Sequence, residues 1–145
     1  MRLVVDTNIL FTYFWKGSVL KKICDARKVE LFTPELALKE LDKYAGDIAR
    51  RTSISSDEFS NMRKDMLSNF VVIDRKDYSE FFEEAYPLLS QLPEKDRNEL
   101  FEDLDFIATS MMLCCPLWSN DKLIGKQRGI VVLNTADLVS LLDID

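Results

Sequence analysis

Four carboxylates stand where a folded chain could make them act together. The apolar run Leu3-Val4-Val5 stops at Asp6, and Cys115-Pro116-Leu117-Trp118 stops at Ser119-Asn120-Asp121. Both runs read as buried strands whose last residues hand an acid to the edge of a sheet. In open parallel sheets, ligands bind at the carboxyl ends of strands, where the connections diverge. With Glu40 and Asp103, these two acids would form a pocket suited to a divalent metal. Thr7 and Asn8 add neutral oxygens on the same turn as Asp6, able to reach a metal through water or to steady Asp6.

Every one of these acids also has an ordinary structural role open to it. Asp6 could cap the helix that follows. Glu40 borders an apolar stripe of Leu36, Ala37 and Tyr44, and could simply pair with Lys43. Asp103 borders Leu100, Phe106 and Ile107, while Asp105 borders Phe101, Ala108 and Thr109. Acids crowded beside an apolar face raise one another's pKa unless a cation keeps them ionised. A solvated helix start is the plainer alternative. Asp121 belongs to an Asn-Asp pair, which often ends a strand for local hydrogen-bonding reasons. Asp74 shows that no single strand-end acid decides the matter. It ends Val71-Val72-Ile73, yet Arg75 and Lys76 follow at once, and it reads as an ordinary pairing partner. Only the combination is informative.

Composition narrows the chemistry. The 145 residues include no histidine, which excludes Ser-His-Asp and Cys-His mechanisms and zinc sites that need imidazole. Cys24, Cys114 and Cys115 offer neither a disulfide framework nor a Cys-x-x-Cys zinc pair, and read as core thiols. What remains is carboxylates, hydroxyls, amines or bound metal. A net charge of −6 argues at first sight against nucleic acid. Clustered carboxylates inflate that figure, however, and a bound cation reverses their local sign. Basic residues are grouped as well: Lys21, Lys22, Arg27 and Lys28, then Arg50 and Arg51, then Lys122, Lys126 and Arg128. The first apolar stretch is too short for a secretory signal. No uncharged segment is long enough to span a bilayer. A cytoplasmic protein with no membrane contact is expected.

The elements that must position these residues alternate between strand and helix. Leu3 to Val5 reads as a strand and Thr7 to Trp15 as a helix. Ser18 can cap a helix over Val19 to Arg27, followed by a strand over Val29 to Phe32. Thr33 would cap a third helix with Pro34 at its first position, running through Leu41 and Tyr44 toward Gly46. A Ser-rich stretch, Thr52 to Ser60, leads into a helix ending near Ser68, and Phe70 to Ile73 is a third strand. Asp77-x-x-Glu80 resembles a capping box opening a helix toward Leu89. After Pro93 a long helix is predicted from Asn98 to Leu113, then strands at 115–118 and at Ile130 to Leu133, then a terminal helix. Such alternation implies right-handed crossovers and a parallel sheet covered on both faces. The expected fold is α/β: one domain over residues 1–145, three layers (α/β/α), with a central parallel sheet of about five strands.

Val4-Val5-Asp6-Thr7-Asn8, Pro34 through Leu41, Asp103 to Met111 and Pro116-Leu117-Trp118-Ser119-Asn120-Asp121 together resemble the PIN-domain (PilT N-terminus) family. That family includes VapC-like toxin ribonucleases of toxin–antitoxin modules and stand-alone archaeal proteins. The resemblance implies that Asp6, Glu40, Asp103 and Asp121 are the family's acidic positions, with Asn8 and Ser119 at its supporting polar ones. The step from Asp103 to Asp121 resembles the family's usual step and favours Asp103 over Asp105 as the third acid. Asp105 departs from a position often small or apolar, and is either an extra ligand or a surface residue. The resemblance implies Mg²⁺ or Mn²⁺ as cofactor and RNA as substrate, and so a metal-dependent endoribonuclease.

Two further readings compete with that one. A catalytically inactive RNA- or protein-binding component with a relic acidic site is the alternative. A phosphatase using Asp6 as nucleophile is disfavoured, because haloacid-dehalogenase-like enzymes carry a second acid where Asn8 stands. Toxins of that family are usually found with a small antitoxin that inserts a basic residue into the acidic pocket, and the sequence leaves open whether this chain has such a partner. The resemblance also implies a homodimer or higher homo-oligomer. Segment 45–70, with Arg50, Arg51, Arg63 and Lys64, is the expected RNA- or partner-facing helical clip. Tyr13 and Trp15 are candidates for base stacking, although core packing is the expectation for both.

Overall fold

Short apolar runs can bury their side chains and still satisfy their backbone by lying side by side, and five of them do so here, with the central ones buried and the edge strands partly exposed. In the computed structural model, which describes residues 1–144, they form one sheet of parallel strands in the order β3-β2-β1-β4-β5. The strands are β1 (Arg2–Val5), β2 (Glu30–Pro34), β3 (Phe70–Ile73), β4 (Leu117–Trp118) and β5 (Val132–Leu133). Leu3, Val4, Val5, Leu117 and Trp118 are all buried. The register sets Val4 opposite both Phe32 and Leu117, and Val5 opposite Trp118. The chain winds outward from β1 to β3 and then returns to the other side of β1. The winding direction therefore reverses between β1 and β4, where such sheets open a crevice. Helices cover both faces, giving three layers, α/β/α.

The crossovers hold several departures from the expected boundaries, each with a local cause. The helix after β1 is shorter than predicted: α1 (Thr7–Phe11) tightens into a 3₁₀ turn over Thr12–Phe14. The Thr12 hydroxyl donates to the Ile9 carbonyl at 2.6 Å there, and Gly17 follows in a left-handed conformation, φ 74°. The second, α2 (Val19–Ala26), starts as expected, with the Ser18 hydroxyl accepting the Lys21 N–H at 3.2 Å. Thr33 does not cap the third, α3 (Glu35–Lys43). It is a strand residue whose buried hydroxyl donates to the Val5 carbonyl at 2.9 Å, tying β2 to the end of β1.

Two further helices, α4 (Ala45–Thr52) and α5 (Ser56–Leu67), form a hairpin. Beyond β3 the expected single helix is a broken run: α6 (Arg75–Tyr78), α7 (Phe82–Ala85) and two 3₁₀ turns, Ser79–Phe81 and Tyr86–Leu89. It begins before Asp77, so Asp77 and Glu80 lie within the run and form no capping box. Pro87, which lacks an N–H, sits in the last turn. The predicted long helix to Leu113 is likewise two, α8 (Glu94–Phe101) and α9 (Leu104–Leu113), separated by a turn at Glu102 and Asp103. Buried along most of its length, α9 packs against β1, β2 and β4. The terminal helix, α10 (Thr135–Leu142), is opened by a capping box between Asn134 and Asp137. Of the three thiols only Cys24 belongs to the core. Cys115 is half-buried, and Cys114 is exposed at the end of α9 in a left-handed conformation. Among the described residues no helix is long and apolar enough to cross a membrane.

Candidate active site

The crevice between β1 and β4 collects the acids. Asp6 leaves β1 in extended conformation and caps α1, one carboxylate oxygen accepting the Ile9 N–H at 3.0 Å. The capping role is thus real, but it occupies only part of the carboxylate. Burial pushes the Asp6 pKa up. Ser119, at the end of β4, and the Ile9 N–H pull it back by hydrogen bonding, while the Asp121 charge adds to the rise.

Asp121 reaches the same place from the other strand. Its N–H donates to the Ser119 hydroxyl at 3.1 Å, and one of its own oxygens accepts the Leu123 N–H at 2.8 Å. Ser119 therefore links the two strand-end acids. Glu40 projects from α3 and accepts a hydrogen bond from the buried Thr7 hydroxyl at 3.2 Å. Half-buried, it has its pKa raised by desolvation, lowered by Thr7, and raised again by the charges of Asp6, Asp105 and Glu102.

Asp103 owes its place to the break between α8 and α9. The turn sets it at the residue immediately before α9, the helix that packs on the sheet. Desolvation, and then the charges of Asp121, Asp6, Glu40 and Glu102, push its pKa up to about 7. Three of these four charges are those of its proposed partner acids.

Together Asp6, Glu40, Asp103 and Asp121 line one small cleft of about 40 Å³, with Thr7, Asn8 and Ser119 on its polar wall. Phe106 and Ile124, which the sequence reading missed, complete it on the apolar side. Ile124 lies on a 3₁₀ turn three residues past Asp121, in a segment without periodicity to mark it. The space holds an ion and a few waters, not a whole nucleotide. Among the described residues no three acids close into a preformed metal-binding cluster. The carboxylates surround the cleft without meeting at one point.

The donor set nevertheless fits a hard divalent cation. All four acids offer oxygen, no nitrogen or sulfur donor intrudes, and a cation would relieve the repulsion that raises Asp103.

Asp105 is not brought to this cleft. One of its oxygens accepts the hydroxyl of the fully buried Tyr78 at 2.5 Å, and it lines a neighbouring groove instead. Tyr13 is buried, edge-on to Phe14, whereas Trp15 is exposed, against the expectation of core packing for both. The basic residues of the α4–α5 hairpin are partly engaged within the chain. Arg50 and Arg51 pair with Asp47, and Arg63 holds Asp42 through two hydrogen bonds of 2.8 and 3.2 Å.

Comparison with known proteins bears on the family and the fold. A family model described as PIN domain matches residues 4–139. No curated protein matches the chain. Among solved structures, VapBC2 from Rickettsia felis, bound to a DNA fragment from its promoter, is similar with a TM-score of 0.67 at 16% identity. That match covers 92% of this chain and 98% of the other. PAE2754 from Pyrobaculum aerophilum is similar with a TM-score of 0.62 at 18% identity, covering 100% of this chain and 91% of the other. At such identities the likeness speaks to the fold.

Proposed function

The chain belongs to the PIN-domain family, whose members are generally nucleases, and from that premise we propose that it is a metal-dependent endoribonuclease. The observation that supports this most is the cleft, which acids from four remote stretches line together, and where burial, with the charges of the other acids added, pushes Asp103 up to about 7. Asp6 and Asp103 would be the central ligands of Mg²⁺ or Mn²⁺, and Glu40 and Asp121 would complete the pocket or position water. When bound, such an ion supplies Lewis-acid polarisation of the phosphodiester and favours loss of a proton from water near neutral pH.

The surrounding residues would hold that chemistry in register. Thr7 fixes Glu40 by its 3.2 Å hydrogen bond, so that acid keeps one orientation as the cleft fills. Ser119 steadies Asp6 and Asp121 together. Asn8, exposed at the cleft, offers an amide donor for a phosphate oxygen. Attack of water at phosphorus with departure of the 3′ oxygen leaves a 5′ phosphate and a free 3′ hydroxyl.

Labelled RNA incubated with the protein should be cut in Mg²⁺ and spared in chelator. Asp6→Asn, which removes one charge at nearly constant shape, should abolish cutting. An Asp6→Asn protein that cuts at the parent rate would reject the assignment.

The likeness to VapBC2 supports placing this activity in a toxin–antitoxin module, and on the family resemblance a small protein partner would put a basic residue into the acid cleft. A homodimer is proposed on the family resemblance alone. Co-purification with the product of a neighbouring short reading frame, and light scattering of the purified chain, test these two points. One observation favours the second reading, an RNA- or protein-binding component with an idle site. It is that the carboxylates do not close into a ready ligand set. Failure of the wild-type chain to cut any RNA in Mg²⁺ or Mn²⁺ would establish that reading.

A further inference from the structure

The turn that delivers Asp103 to the acid cleft has a second face. Phe101, Leu104 and Asp105 flank Asp103 in sequence but line a separate groove of about 490 Å³, together with Arg75, Phe82 and Tyr86. That volume is in the range of pockets holding a small planar molecule. The groove carries two large rings that the core does not use. Tyr86 and Phe101 are each 58% exposed and meet edge to face, with ring centroids 6.3 Å apart. Opposite them, the Arg75 guanidinium lies 5.5 Å from the centre of the Phe82 ring. Among the described residues it joins no ion pair, whereas its neighbour Lys76 reaches Asp74 at 4.0 Å. The floor is firm, because Tyr78 anchors Asp105 and packs edge-on against Phe82 at 5.8 Å.

We propose that this groove is a stacking subsite for an unpaired base of the RNA strand whose phosphate occupies the acid cleft. The inference rests on the ribonuclease reading for the identity of the strand. Its own support is the groove's chemistry. Exposed aromatic faces and arginine planes are what single-stranded RNA stacks on, since every base offers a π-face. Glu83 and Asp105 bring acceptor oxygens for the amino groups of a base edge, while Arg75 supplies positive charge for the adjoining phosphate. The groove lies beside the cleft in the chain: Phe101, Leu104 and Asp105 line the one, and Asp103 and Phe106 line the other. The subsite would make cleavage depend on an unstacked nucleotide near the cut, and so favour loops and single strands over duplex.

Affinity is measured by fluorescence anisotropy in Mg²⁺ on otherwise wild-type protein, with a short, labelled single-stranded RNA whose linkages are phosphorothioates, so that the acid cleft keeps its four carboxylates and the strand resists cutting. Tyr86→Ala and Phe101→Ala should each weaken binding by about 5- to 100-fold. Tyr86→Phe, which keeps the ring, should bind like its parent. An RNA with one abasic nucleotide, moved along the strand, should at one position bind parent and Ala variants equally. Thermal melting confirms that each variant is folded, and Tyr86→Leu replaces any Ala variant that is not. Parent-like affinity of both ring-deleted variants, or no affinity for RNA in the parent, overturns the subsite; the former leaves the groove to a protein partner. A wild-type chain that cuts RNA while its ring-deleted variants bind unchanged refutes only the subsite. Ring-dependent binding by a wild-type chain that never cuts refutes only the nuclease reading.

Discussion

At the scale of single residues, Asp103 is the most consequential group, because its environment works against its charge. Its carboxyl titrates near 7 in the folded chain, against an ordinary value of 3.8. A group raised in this way favours the folded state while protonated. Its contribution is full below 3.8 and is lost as the pH climbs through about 7. The metal-free protein should therefore lose stability between mild acid and neutrality, on the order of 2 kcal/mol once water's partial access to the carboxyl is allowed for. Urea melts in chelator at a series of pH values measure this. Asp103→Asn should flatten the curve and be more stable than the parent above neutrality, while cutting no RNA. Equal stability of the chelated parent in mild acid and above neutrality would contradict the proposed crowding of charge. Tyr78→Phe bears on the neighbouring acid: losing the hydroxyl that donates to Asp105 should cost about 1.5 kcal/mol, read from the same melts.

At the scale of elements, the site depends on where strands stop and helices break. Thr33 pins β2 to the last carbonyl of β1, one residue before Asp6. Thr33→Val keeps the shape and removes the bond. It should cost about 1 kcal/mol and lower the cleavage rate several-fold, with little change in RNA affinity, as single-turnover kinetics would show. An unchanged rate would mean that β1 needs no such tie.

These same features mark what sequence could and could not reveal. Leu3 to Asp6 and Leu117 to Asp121 were legible because an apolar run halted by an acid is a local pattern, and Ser18 was legible as a cap for the same reason. The PIN-like order of acids then pointed to Glu40 and Asp103. The break between α8 and α9 was not legible. Leu100, Leu104 and Ile107 keep helical spacing straight through it, and packing of α9 on the sheet overrides the local preference. Thr33 was read as a cap because a hydroxyl before Pro34 fits that role equally well, and only the strand register turns it toward Val5. Asp105 was left open between ligand and surface, and its Tyr78 partner, 27 residues away, has no local signal.

At the scale of the molecule, an ion that binds only the folded chain must stabilise it by mass action. At about a hundred times its dissociation constant, Mg²⁺ should add about 2.7 kcal/mol to unfolding. Calorimetry should accordingly show an upward shift in Tm for the parent and little or none for Asp6→Asn or Asp103→Asn. The same shift in all three would place any bound ion elsewhere.

The order of the sheet carries a consequence for how such a protein is made. Of the five strands the middle one is translated first, and one of its two neighbours, β4, is translated fourth. Until β4 docks, the central strand has an open flank and Ser119 and Asp121 are absent from the crevice. On the proposed reading, a chain translated only as far as α9 would lack half of the acid crevice, and the power to cut RNA would arrive only once β4 docks.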